Sequence, residues 1–145
     1  MASLKNERDT KKLAGAGQEV DINEWPQKGN TLIFAGAQVC LDANKLAIPG
    51  IEATGLTAMG RCEETSDATG LPDGAVKVKV RGGAYKWQNN PGAVAGETVD
   101  KLGVACFVLD DQSVVKTDGG AKRSQSGVVH RIDSDGVYVR QGLTP

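Results

Sequence analysis

The chain has 145 residues, 17 Lys and Arg against 18 Asp and Glu, and a formal net charge of -1, so it is long enough for one compact domain and carries no global excess of cations for a polyanion. Gly is frequent at 19 residues while Phe, Trp and Tyr occur only twice each, a balance that predicts many tight turns around a thin core. Cys40, Cys62 and Cys106 are widely spaced, odd in number and accompanied by a single His, which excludes a zinc knuckle and reads as small buried hydrophobes in a reducing compartment.

Residues 1–30 carry five basic and five acidic side chains, with large apolar groups only at Leu4, Leu13, Val20, Ile22 and Trp25. Such a segment cannot bury enough surface by itself to offset its ordering entropy. It is read as an N-terminal arm that either stays disordered or orders on a partner through Ile22 and Trp25. Its mixed charges exclude a signal peptide, and no later window is apolar for the length of a membrane span, so no membrane partner is expected.

From residue 31 to 145 the texture is that of a single β-rich domain: short apolar or alternating runs separated by Gly, Asn, Asp and Pro. LIFAG and AQVCLD are predicted strands, DANK a turn into LAI, and LTAMGRCEET a strand in which Gly60 marks a bulge or a close backbone approach. TSDATGLPDG is a loop. ETVDKLG has the composition for one short helical turn before the strand VACFVL, and Asp110-Asp111 turn the chain toward SVVKT. VVHRI-DSDG-VYVRQ reads as a terminal hairpin whose Asp and Gly supply the turn. No heptad, long amphipathic helix or fixed-period repeat is present, which leaves an all-β small barrel or sandwich.

KVKVRGGAYKWQ, residues 77–88, is the one stretch with a distinctive chemistry. Strand geometry puts Lys77, Lys79 and Arg81 on one face and Val78 and Val80 on the other. Unbroken alternation would add Tyr85 and Trp87 to the basic face and make a stacking platform for single-stranded nucleic acid. A one-residue bulge at Gly82-Gly83 would instead turn both aromatics inward beside the valines, and the shortage of core aromatics favours the bulge. The basic row then discourages edge-to-edge strand pairing.

Catalytic patterns are weak. A Cys–His nucleophile would require His130, which sits in an alternating strand and suits a surface or cross-strand role better, Cys106–His130 being the one such pair kept as a reading. Glu63-Glu64, Asp110-Asp111 and the DSDG turn lack the further oxygen ligands of a calcium loop, and read as turn caps and solubilising groups. AGAG and TDGGAKRS lack the spacing and the βα context of a phosphate loop. Neither catalytic residues nor a metal or cofactor are assigned.

The motifs FAGAQVCLDANKLAIPG, LTAMGRCEE, GAVKVKVRGGAYKWQN, KLGVACFVLDDQSVVKTDGG and SGVVHRIDSDGVYVR follow one another in an order that resembles the capsid decoration, or cement, proteins of tailed phages and Mu-like prophages. The resemblance spans roughly residues 30–140. It implies a non-enzymatic β-protein with an extended N-terminal arm that binds the outer surface of an icosahedral head, made in the bacterial cytoplasm and ending on the virion. The implied partners are the major capsid protein and the chain itself, as a homotrimer or in some phages a dimer, with no direct nucleic acid. Residues 14–30, AGAGQEVDINEWPQKGN, depart from the proline-containing entry of such proteins. Interface candidates therefore come from chemistry: Leu13, Ile22 and Trp25 as apolar contacts, and Lys77, Lys79 and Arg81 as polar ones. The competing reading is a nucleic-acid-binding β-barrel that uses the basic–aromatic strand 77–87.

Overall fold

Short β-prone runs punctuated by turn formers pack as a pair of small curled sheets. The computed structural model describes residues 3–13, 22–90 and 94–142. Twelve strands follow in order: β1 (Asn23–Pro26), β2 (Leu32–Ile33), β3 (Gln38–Leu41), β4 (Ala47–Pro49), β5 (Thr57–Cys62), β6 (Ser66–Asp67), β7 (Lys77–Arg81), β8 (Gly83–Asn89), β9 (Ala105–Val108), β10 (Ser113–Val115), β11 (Gln125–Asp133) and β12 (Gly136–Gln141). The fold class is all-β, as the sequence predicts. ETVDKLG differs from expectation and forms no helical turn. It runs extended, with the Asn89 side chain bonded to both the N–H (2.7 Å) and the C=O (2.9 Å) of Val99, and with the Lys116 N–H donating to the Glu97 carbonyl (2.8 Å).

The first sheet has the order β1-β7-β5-β3-β4. It curls until its edges touch, through a parallel bridge of Gln27 to Ala47 and a 3.0 Å bond from the Lys28 N–H to the Ala47 carbonyl. Inside the curl lie Ile33, Val39, Leu41, Met59, Cys62, Val78 and Val80, with Leu4 and Trp25 against them. The second sheet, β10-β8-β12-β11-β9, is a closed barrel. Closure needs one parallel pair, β10 with β8, and its interior holds Tyr85, Trp87, Val99, Cys106, Val114, Val129, Val137 and Val139. Cys40 and Ile48 on the reverse face of the first sheet meet Val108 of β9 and join the two bodies. A short β2–β6 ribbon completes the fold.

The chain passes from one sheet to the other at Gly82. Alternation buries Val78 and Val80 before it and Tyr85 and Trp87 after it, so the parity changes as the bulge reading requires. The outcome nevertheless differs in one respect: the aromatics do not lie beside the valines but fill a different core. The crossing is tight. Gly83 has φ +151°, and a Cβ on Gly60 would sit 2.2 Å from the Arg81 carbonyl oxygen, a contact that no side chain tolerates. Gly60 thus makes the close approach expected of it, and Met59 beside it is the extra residue where the β3–β5 register shifts.

The predicted terminal hairpin is present as β11 and β12, closed by Asp133 opposite Gly136. Gly136 is there for room as well as for the turn, because a Cβ would lie 2.7 Å from the Trp87 carbonyl oxygen.

The arm boundary at residue 30 does not coincide with a structural one. β1 pairs with β7 from Asn23 opposite Val80 to Pro26 opposite Lys77, which makes it an integral strand of the first sheet. Residues 3–13 are also laid on the body as an extended strap. The Lys86 N–H donates to the Lys11 carbonyl and the Leu13 N–H to the Ala84 carbonyl, each at 3.0 Å. Apolar groups are too sparse in this segment for a core of its own, so it orders by borrowing the main-chain groups of β8.

Candidate interaction surface

On β7 the alternation leaves Lys77 and Lys79 exposed and Arg81 half-buried. Lys79 and Arg81 are matched by acids of β1 and of the turn after β5. Glu24 stands opposite Lys79 in the β1–β7 register, Glu64 reaches the Lys79 Nζ at 3.5 Å, and Glu63 lies 3.0 Å from the Arg81 Nε while also binding Arg61 at 2.8 Å. A polyanion would have to displace these carboxylates, and an exposed pair contributes under about 1 kcal/mol while Glu63, shared between two half-buried guanidinium groups, is held more firmly.

Tyr85 and Trp87 have no solvent exposure. Their rings are also capped from within the chain, Arg61 lying 4.4 Å from the Tyr85 centroid and Arg8 5.4 Å from that of Trp87. Strand 77–87 therefore places its cations on one body and its aromatics inside the other, and no stacking platform forms on it.

The other candidates separate in a similar way. Trp25 is half-buried on the core of the first sheet, so much of its apolar surface is already used inside the chain, and Leu13 is half-buried on the edge of β8. Ile22 is 41% exposed and remains a free apolar group beside β1. Ile22 precedes β1 toward the Arg81 end of β7, Trp25 stands opposite Val78 and packs on the core of the first sheet, and Lys77 and Lys79 are exposed on the other face of β7, whereas Leu13 lies with the strap on the barrel.

The strap is pinned by residues that the sequence did not single out. The Asp111 Oδ1 accepts from the Leu4 N–H at 2.8 Å. Arg8 donates to the Lys86 carbonyl at 2.9 Å and to the Thr10 hydroxyl at 2.8 Å, and the Arg61 guanidinium donates to the Thr10 carbonyl at 2.9 Å. Asp110 caps the turn as the sequence predicts, its Oδ1 accepting from the Gln112 N–H at 2.9 Å, but both acids are buried and neither is a solubilising group. Burial, with Asp110 adjacent, pushes the Asp111 carboxyl up to about 6 against the pull of the Leu4 N–H and Arg8.

A second set of unforeseen residues forms the seam between the two bodies. The Trp87 indole donates to the Gln141 side-chain oxygen (2.8 Å), and the Gln141 amide donates to Gln38 (2.7 Å) and to the Ser126 hydroxyl (2.8 Å). Ser126 in turn donates to Gln38, whose own amide donates to the Asp110 carbonyl at 2.9 Å. The signal was present as a Gln on the inward parity of each of two strands, in AQVC and after Val137 and Val139 in VYVRQ.

Of the catalytic candidates, Cys106 lies inside the barrel and His130 on its outside, as the extra residue where the β11–β12 register shifts between Val129 and Arg131. Burial pushes the thiols of Cys40, Cys62 and Cys106 up to about 12, the reverse of what a nucleophile needs. In the DSDG turn, Asp133 is 2.8 Å from Arg131 of the same hairpin and Asp135 2.5 Å from Lys86 of β8, so both acids are ion-paired. Comparison with known proteins finds no match among family models, curated proteins or solved structures.

Proposed function

We propose that this chain is a structural decoration protein of a phage head, which binds the outer surface of the assembled shell and clamps neighbouring major capsid subunits. What carries the reading is the ordered set of motifs over residues 30–140, which fall on strands and turns of an all-β chain with an extended N-terminal strap. The outer side of β1 and β7, with Lys77, Lys79 and the exposed Ile22, is the surface assigned to the shell, and the chain acts there as a homotrimer or dimer.

Such a protein works by linkage. Whatever binds the mature lattice better than free subunits or the precursor lattice shifts the equilibrium toward the mature head, and repetition over many sites multiplies modest contacts. The test is to add purified protein to heads that lack it. Stoichiometric uptake with increased resistance to heat or chelator is expected, and Lys77→Glu with Lys79→Glu should weaken uptake. Failure to bind mature heads would overturn the proposal. The nucleic-acid alternative has lost its stacking platform, and no other observation favours it.

A further inference from the structure

One feature that this reading does not use is a groove of about 370 Å³ where the two bodies meet, lined by Leu56, Thr57 and Ala58, by Gln125–Val128, and by Arg140–Gly142. Its shape follows from strand pairing. β5 is paired with β3 along Thr57–Arg61, but on its other side β7 reaches only Arg61 and Cys62. Gly142 packs against the Met59 carbonyl, so Thr57 and Ala58 face β11 and β12 across the groove without a strand paired to them on that side among the described residues.

The chemistry of the walls is uneven. Leu56, Ala58 and Val128 supply apolar surface, Val128 being 42% exposed. Across the rim, Val104 is 44% exposed and its carbonyl accepts from the Val129 N–H at 2.9 Å, which continues the apolar surface onto the barrel. Arg140 is exposed and is the one charged side chain in the lining.

We infer that this groove is a docking site for an extended peptide segment of a protein partner, with apolar side chains alternating with carboxylates. The open edge of β5 selects an extended main chain, since an added strand is held by backbone hydrogen bonds. The valine and leucine walls take alternate side chains, and Arg140 meets a carboxylate. The inference is independent of the head-binding proposal, which uses β1 and β7 and none of the residues that line the groove.

The test is a titration of the isotope-labelled full chain with a capped octapeptide of alternating valine and glutamate, read by amide chemical shifts. Shifts concentrated at Leu56–Ala58, Gln125–Val128 and Gln141–Gly142 are expected, and the same peptide with lysine for glutamate should bind at least tenfold more weakly. Arg140→Glu should reverse that preference while leaving the thermal unfolding midpoint nearly unchanged, and Val128→Asp should weaken both peptides. Shifts that are absent, lie elsewhere, or do not distinguish the two peptides would overturn the inference.

Discussion

At the scale of single residues, backbone strain is used to place side chains. Gly119, Gly120 and Ala121 follow one another with φ of +65°, +79° and +66°, and the Asp118 carbonyl accepts from the N–H groups of Lys122 (2.8 Å) and Arg123 (3.1 Å). This left-handed turn delivers Arg123 to Glu52 at 2.7 Å and Glu97 at 3.3 Å, and so ties three loops together. A Cβ in that conformation costs about 1–2 kcal/mol, part of which Gly returns as unfolded-state entropy. Ala121→Gly should therefore stabilise the fold by about 0.5–1 kcal/mol, seen as a higher urea midpoint at constant slope. The cysteines give a second expectation at this scale: with thiols buried and pushed up to about 12, a thiol reagent at pH 8 should label none of the three until denaturant unfolds the chain.

At the scale of elements, the strap rests on a buried carboxylate with a definite pH signature. Asp111 titrates near 6 in the folded chain, above the ordinary carboxylate range, so between about pH 4 and 6 the folded state binds more protons than the unfolded one. Its contribution to stability therefore rises as pH falls through that window and is lost as pH rises through 6. Asp9, Asp67, Glu97 and Asp135 are held below their usual range by hydrogen bonds and act in the opposite sense, so the whole-protein slope is a difference. Asp111→Asn keeps an oxygen for the Leu4 N–H and removes the titration. Comparing thermal midpoints of the variant and the parent at pH 4.5 and 7 should show the variant gaining relative stability at pH 7. An unchanged difference at the two pH values would mean that the carboxyl is not raised.

At the scale of the whole molecule, two small curled sheets share little apolar surface, and a polar network fixes how they meet. Gln38, Ser126, Gln141 and the Trp87 indole satisfy one another at nearly zero exposure, which is the condition under which a buried polar cluster specifies rather than weakens a fold. Gln141→Ala leaves the Trp87 N–H unpaired and takes one of two donors from the Gln38 side-chain oxygen, and should cost about 1–3 kcal/mol. Gln38→Ala should cost a similar amount, and because the two share partners the double variant should cost about 0.5–3 kcal/mol less than the sum. Additive losses in a urea-denaturation cycle would show that the cluster does not act as a unit.

Sequence by itself determined the all-β class, most strand positions, the terminal hairpin and the burial of the three cysteines, because each depends on alternation and turn chemistry within a few residues; it favoured a change of parity at Gly82-Gly83 but left Tyr85 and Trp87 two possible faces, which the structure decided. It did not determine that Val78 and Trp87 belong to different cores, that Asn23–Pro26 is a strand of the first sheet, or that Gln38 and Gln141 meet across the seam. Those outcomes rest on pairings between distant parts of the chain, whose register no local pattern encodes. The basic row shows the division most plainly. Spacing placed Lys79 and Arg81 on one face, but only the folding of Glu24, Glu63 and Glu64 onto that face decided that its charge is balanced, since electrostatic pairing is set by distance in space and not along the chain.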